Sequence, residues 1–280
     1  MPPIPDKVPT DLEMPRETEV IIIGGGIIGV SAALTLSEQG VPVVLLEKGE
    51  IAAEQSSRNW GWCRQQGRDP REMPLIIESL RLWRQMNKRI QRNVGFSECG
   101  ILTLAQDDRE LEKHHAWSAI GQEHGVNTKR LNRQDVSRHI PECTTNWKGG
   151  LFTPSDGRAE PTLAAPAMAL AARGLGAQLF TNTAARTIDT HGGRVNGVIT
   201  ERGRITCKTV IVAAGAWTSL FLRNLGVRIP QLKVRSSAFR THPMAGGPDI
   251  SIYASGFAVR KRSDGGYTIA LGGRTRILYD

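Results

Sequence analysis

Apolar positions in this chain follow two distinct patterns, continuous short runs and strict alternation, and the boundary between them divides it. Val20 to Ile23 is wholly apolar and β-branched, the mark of a strand buried on both faces of a parallel sheet. A helix with apolar residues at Ile28, Ala32, Leu34 and Leu36 follows, closed by Gly40, and Val43 to Leu46 is a second apolar run. Together they predict a βαβ unit. From Thr183 to Val210 the pattern changes to alternation in three short β-branched segments, which fits an antiparallel meander. Ile211 to Trp217 reads as another buried strand ending on Ala214-Gly215. Gln231 to Thr241, Ser251 to Tyr253, Gly256 to Lys261 and Gly266 to Gly272 are strand-like, with turns at Gly246-Gly247 and Asp264-Gly265-Gly266. The fold class is α/β.

Composition narrows this picture only a little. A chain of 280 residues with 40% apolar content buries a large core in one or two domains. The formal charge of +9 permits anionic partners, but the bases are spread along the chain and read as a solvated surface, with no nucleic-acid partner. Their densest cluster, Arg81, Arg84, Lys88, Arg89 and Arg92, lies on a predicted helix whose apolar side carries Leu80, Trp83, Met86 and Ile90. Cys63, Cys99, Cys143 and Cys207 form no C-x-x-C pair, which points to reduced thiols, a cytoplasmic location and no zinc site. The six histidines show no metal-ligand spacing. Residues 1–18 are polar and proline-rich, without signal-peptide order, and are expected to be a disordered lead-in. The longest uncharged run is interrupted by glycine, so no membrane span is expected.

The candidate chemistry starts in the first crossover. Gly24, Gly26 and Gly29 are spaced G-x-G-x-x-G between strand and helix: the first allows the tight turn, the second close approach of backbone to a pyrophosphate, the third close helix packing. A diphosphate there meets unpaired N–H groups at the positive end of a helix dipole. Glu47, at the end of the second strand, suits a ribose 2′-hydroxyl and repels a 2′-phosphate, which argues against NADP. In the loop that follows, Ser56, Ser57, Arg58 and Asn59 offer diphosphate donors, while Trp60 and Trp62 flank Gly61 and can wall an aromatic ring system. A surface loop with two buried tryptophans accounts for the same residues.

With Glu47-Lys48 and SSRNWGWCRQQ in place, the chain resembles the FAD-dependent D-amino-acid oxidase superfamily, which includes glycine oxidase, sarcosine oxidase and D-amino-acid dehydrogenase. Cys99-Gly100-Ile101-Leu102, the stretch Leu131 to Pro141, Gly149-Gly150-Leu151-Phe152 through Glu160-Pro161, the helix Thr162 to Arg173 and the step Ala213-Ala214-Gly215-Ala216-Trp217 carry the likeness further. The resemblance implies a Rossmann-like FAD-binding domain, parallel sheet plus three-stranded meander, interleaved with a mixed-sheet substrate domain. Residues 19–92 and 150–226 would form the first, and 93–149 and 227–280 the second. It implies FAD contacts at Gly24, Gly26, Ile28, Gly29, Glu47, Lys48, Ser56, Ser57, Arg58, Asn59, Trp60, Gly61, Ala185, Ala214, Gly215 and Trp217. Arg64 stands where sarcosine-oxidase-like sequences carry a base, suited to anionic reduced flavin or a substrate carboxylate; a surface ion pair is the competing reading. Arg235, Arg240 and Arg260 are weaker carboxylate candidates, and Cys63 a weak candidate for flavin attachment.

The implied activity is oxidation of the CH–NH bond of an amino acid or secondary amine by hydride transfer to flavin, with oxygen or an electron carrier as the final acceptor. Members continue well beyond a strand such as the one ending here, so the resemblance also implies a fragment or shortened gene product, with some substrate-binding residues outside it. An NAD-dependent dehydrogenase, disfavoured by the SSRN and AAGAW segments, and a non-catalytic protein on a cut-down flavin fold remain the other readings.

Overall fold

The computed structural model describes residues 3–141, 143–271 and 276–278. Gly272, the predicted end of the last strand, lies outside them. The chain forms two compact units, residues 1–59, 88–94 and 161–233 in the first and 60–87, 95–160 and 234–280 in the second.

Among the described residues, the first unit is built on a four-stranded parallel sheet in the order Thr209–Val212, Val20–Ile23, Val43–Leu46, Gln178–Phe180. Its two faces use alternate residues. Ile21, Ile23, Val44, Leu46 and Phe180 form one core with Val198, Ile205 and Cys207 of the antiparallel meander Ala185–His191, Arg194–Thr200, Gly203–Thr206. On the other face Ile22 meets Gly29 of the helix Ile27–Glu38, which packs against the helix Pro161–Gly174. Here the pattern reading needs correcting: the buried stripe is Gly29, Val30, Ala33, Leu34 and Ser37, and Ile28 is 69% exposed. Small residues face inward because a neighbouring helix lies close. The strand predicted as Ile211 to Trp217 is Thr209–Val212, only half-buried because it is the sheet's edge; Gly215–Trp217 is a 3₁₀ turn leading into the helix Thr218–Arg223.

Residues 3–18, expected to belong to a disordered lead-in, are instead held by specific contacts. Asp11 accepts from the Leu179 amide at 2.7 Å and pairs with Arg173 at 2.6 Å. Val8 is buried, Met14 joins the meander core, and the Thr18 amide donates to Thr206 C=O. A polar, proline-rich segment is held because Asp11, Val8 and Met14 find partners in the first unit.

The second unit carries, among the described residues, a seven-stranded mixed sheet in the order Ala238–Arg240, Tyr267–Leu271, Phe257–Lys261, Ser251–Tyr253, Ile101–Ala105, Gly149–Thr153, Lys129–Asn132. All its pairings are antiparallel except that between Ser251–Tyr253 and Ile101–Ala105. Leu102, Leu104, Val136, Trp147 and Ile252 form its core on one face. The predicted helix over Leu131 to Pro141 splits: Lys129–Asn132 is a strand, and Asn132 then caps the helix Arg133–His139 in a capping box with Asp135.

The unit boundaries also fall elsewhere than the expected 92, 149 and 226. Residues 60–87 group with the mixed sheet, since Trp62–Cys63 pairs with Gly157–Arg158 and Asp156 accepts from the Gln65 and Gln66 amides. Residues 150–160 belong there too, because Gly149–Thr153 is one uninterrupted strand of that sheet.

Candidate functional site

At the carboxyl end of the parallel sheet the first unit holds a cleft of about 360 Å³. Its floor is backbone. Gly24 sits at φ +115, and a Cβ there would lie 2.4 Å from the Ala213 carbonyl oxygen; one on Gly29 would lie 1.9 Å from that of Gly24. Only glycine fits either place. The helix dipole points its positive end at the turn, and the first intrahelical bond runs from Val30 N–H to Gly26 C=O. Side chains already serve part of this turn: Ser56 Oγ accepts from Ile27 N–H at 2.8 Å, and Glu47 Oε2 accepts from Gly25 N–H at 2.7 Å. The turn is thus less bare than its glycines suggest.

Glu47 is the organising acid. Its second oxygen accepts from Gly49 N–H at 2.8 Å, its own amide donates to Phe180 C=O, and its carbonyl accepts from Thr183 N–H. The carboxylate is 9% exposed and lines the cleft with lone pairs to spare.

The cleft brings together nine of the expected cofactor residues: Gly24, Gly26, Glu47, Lys48, Ser56, Ala185, Ala214, Gly215 and Trp217. Lys48 Nζ lies 3.7 Å from the centre of the Trp217 ring and 3.2 Å from Glu54. The other expected residues have different tasks. Gly29 packs the helix, and Ile28 points outward. Ser57 is buried with its hydroxyl on Glu54 C=O, Arg58 pairs with Glu54 at 3.2 Å, and Asn59 Nδ2 donates to Gln55 and Ser56 carbonyls. Of the four-residue donor loop, only Ser56 lines the cleft. Trp60 and Gly61 belong to the second unit, where Trp60 stacks on Trp62 at 5.1 Å and Gly61 C=O accepts from Ala159 N–H. Glu54 and Glu50 were not anticipated; Glu54's helical spacing to Arg58 was the available signal.

A second cleft, about 380 Å³, lies wholly within the second unit and holds Arg64. Arg64 is not in a surface ion pair: its Nη1 donates to Gln66 C=O, and burial pulls its pKa down, with Arg68 adding to the effect. The loop beneath is pinned from below. Asp156, 0% exposed, accepts from Gln65 N–H at 2.8 Å and Gln66 N–H at 3.1 Å; burial pushes its carboxyl up while those amides oppose the shift. Gln66 Nε2 donates to Leu151 C=O and Thr153 Oγ1, and its Oε1 accepts from Thr103. Burial pushes the Cys63 thiol up to about 12, so it stays an unreactive thiol at neutral pH.

Arg260 is buried elsewhere in this unit in a pair with Glu160 at 3.1 Å, and Arg240 pairs with Asp264 at 3.2 Å. Neither is a free carboxylate receptor, and the side chain of Arg235 lies outside the described residues. In the basic cluster, Arg81, Arg84 and Arg89 pair with Glu78, Glu98 and Glu38. Among the described residues no helix is long and apolar enough to cross a membrane, and no group of His, Cys, Asp and Glu is arranged to hold a metal.

A glycine turn and a terminal acid on a parallel sheet, with helices on one face and a meander on the other, define a dinucleotide-binding oxidoreductase fold. Comparison with known proteins makes this specific. The chain belongs to the DAO family of FAD-dependent oxidoreductases, which it matches over residues 19–278. It is 27% identical over 243 residues to 4-methylaminobutanoate oxidase (formaldehyde-forming) of Paenarthrobacter nicotinovorans, covering 86% of this chain and 30% of that protein. To sarcosine oxidase subunit beta of Rhodobacter capsulatus it is 25% identical over 250 residues, 87% and 60% of the two chains. The solved structure of L-amino acid deaminase from Proteus myxofaciens, in complex with anthranilate, superposes with TM-score 0.91 at 32% identity over 95% of this chain and 61% of that one. The chain thus spans between 30% and 61% of the length of these relatives.

Proposed function

We propose that the chain is the FAD-binding and part of the substrate-binding portion of an enzyme that oxidises the CH–NH bond of an amino acid or secondary amine. The observation that carries this is Glu47, held by two backbone amides at the rim of a cleft floored by glycine. That donor set fits the adenosine diphosphate half of FAD. The amides at the start of Ile27–Glu38 suit the diphosphate, Ser56 adds a hydroxyl, and Glu47 suits the ribose. Ala185, Ala213 and Ala214 give the cleft small apolar sides on which an adenine can lie. Ser57, Arg58 and Asn59 belong to this reading only through the loop that presents Ser56.

When bound, the flavin supplies a two-electron acceptor for the hydride on the amine-bearing carbon, and the resulting imine is hydrolysed by water. The residues of this chain hold and orient. Arg64 is the candidate for the reacting end: a guanidinium there attracts a substrate carboxylate and, beside an amine, disfavours its ammonium form. Hydride transfer demands no acid–base pair, so none is assigned. Oxygen or an electron carrier completes the cycle, and four unpaired cysteines support a reducing compartment such as the cytoplasm.

The test is a titration of the purified chain with FAD, followed by anaerobic addition of amino acids and N-methyl amino acids. Saturable flavin absorption that bleaches with an amine supports the proposal. A folded protein that takes NAD and not FAD overturns it in favour of a dehydrogenase, and one that takes neither leaves the non-catalytic reading.

A further inference from the structure

Glu47 leans on a segment that is itself held from outside. Gln178–Phe180 is the last strand of the parallel sheet, and an edge strand turns backbone groups both toward its neighbour and away from it. On the inner side, Glu47 N–H donates to Phe180 C=O at 2.9 Å, Thr183 N–H to Glu47 C=O at 2.8 Å and Asn182 N–H to Gly49 C=O at 2.9 Å. On the outer side the N-terminal segment takes the place of a further strand. Asp11 N–H donates to Leu179 C=O at 2.8 Å, Leu179 N–H donates back to Asp11 Oδ2 at 2.7 Å, and Thr181 N–H donates to Thr10 Oγ1 at 3.2 Å. The other Asp11 oxygen accepts from Arg173 at 2.6 Å, on the helix Pro161–Gly174. One carboxylate thus fastens the segment to both strand and helix.

The bend that follows Phe180 depends on contacts from both sides. Asn182 sits at φ +48, a conformation disfavoured for a residue with a side chain and kept by its neighbours, and Thr183 is fully buried with its hydroxyl donating back to Thr181 C=O at 3.0 Å. We propose that Thr10 and Asp11 are positioning residues for Glu47: by fixing Leu179 and Thr181 from outside, they hold the 180–183 bend where its inner groups seat the acid at the cleft. Neither residue lines the cleft itself. The strap stays tethered beyond them, where Thr18 N–H donates to Thr206 C=O and Thr206 N–H to Arg16 C=O, so loss of either side chain opens the strap locally and leaves the unit folded. The consequence for FAD rests on the function proposed above; the consequence for Glu47 does not.

Residue-resolved amide hydrogen exchange on the full chain reads the effect without cofactor or turnover. Asp11→Ala and Thr10→Val should each speed exchange at the Glu47 and Thr183 amides, about tenfold for the first and less for the second, while the strand Ile101–Ala105 of the second unit keeps its protection. Thr10→Ser, which retains the hydroxyl, should match the wild type. FAD affinity should fall in the same order as protection at Glu47. Faster exchange confined to Leu179 and Thr181 overturns the proposal, because the strap would then only cover an edge; so does equal acceleration everywhere, Ile101–Ala105 included, which is a loss of general stability. If exchange at Glu47 responds as expected but neither the wild type nor the variants take FAD, the positioning role stands and the flavoenzyme reading falls. FAD uptake that is the same in all four proteins leaves that reading and removes the strap's part in it.

Discussion

The two clefts present positive charge by opposite means. In the first it comes from the backbone at a helix start, and the Gly25 and Gly49 amides are already taken by an acid, Glu47. In the second it comes from the side chains of Arg64 and Lys113, on segments distant in sequence, and the Asp156 carboxylate holds the Gln65 and Gln66 amides next to Arg64. A backbone site tolerates almost no change at its glycines. A side-chain site tolerates change at any one member but depends on the buried acid beneath it.

The sharpest way to break that contrast is Gly29→Val. Its Cβ would lie 1.9 Å from the Gly24 carbonyl oxygen, where only backbone can give way, so a loss of about 3 kcal/mol or more in urea unfolding is expected, with FAD binding abolished. Wild-type stability in this variant would mean the turn is not built as described. Asp156→Ala comes next. It strands two buried amide donors, for an expected loss of about 2–4 kcal/mol in urea unfolding, while FAD affinity per folded molecule should stay unchanged.

Glu47→Gln sharpens the comparison from the other side. It removes the charge from both amide contacts, and FAD quenching titrations should show affinity about tenfold weaker with the second cleft unaffected. Lys48→Ala, which loses an exposed ion pair and a cation–π contact, should cost at most about 1 kcal/mol. The smallest effect is a pH dependence in residues 3–18. Burial pushes the Asp11 carboxyl up, but Arg173 and the Leu179 amide outweigh it and hold its pKa below the ordinary 3.8. The contact therefore contributes fully above that value and fades as pH falls below it. Limited proteolysis of the segment should show the loss on acidification, and Asp11→Asn should remove the pH dependence.

How much of this was legible depended on the range of the interaction involved. Gly24, Gly29 and Glu47 announced themselves because a turn, a helix start and a strand end lie within one short βαβ unit. The donor loop misled because Glu54 binds Lys48 and Arg58, leaving Ser56 alone at the cleft. The edge position of Thr209–Val212 was hidden because an apolar run looks the same in an edge strand as in a central one. The segment 60–87 was placed with the glycine turn on the family resemblance, whereas its grouping is decided by Asp156 and the strand Gly157–Arg158.

Local order, then, was written in the chain itself: the parallel sheet with its meander, the glycine turn, the acid at its rim, and the family they define. Only tertiary structure decided that residues 3–18 are anchored, that Arg64 is half-buried over a pinned loop, and that Lys113 and Trp117 share its cleft. The reason is physical. A backbone site needs particular residue types at fixed local spacing, whereas a side-chain site needs only that distant side chains converge, and convergence leaves no mark in any single stretch of sequence.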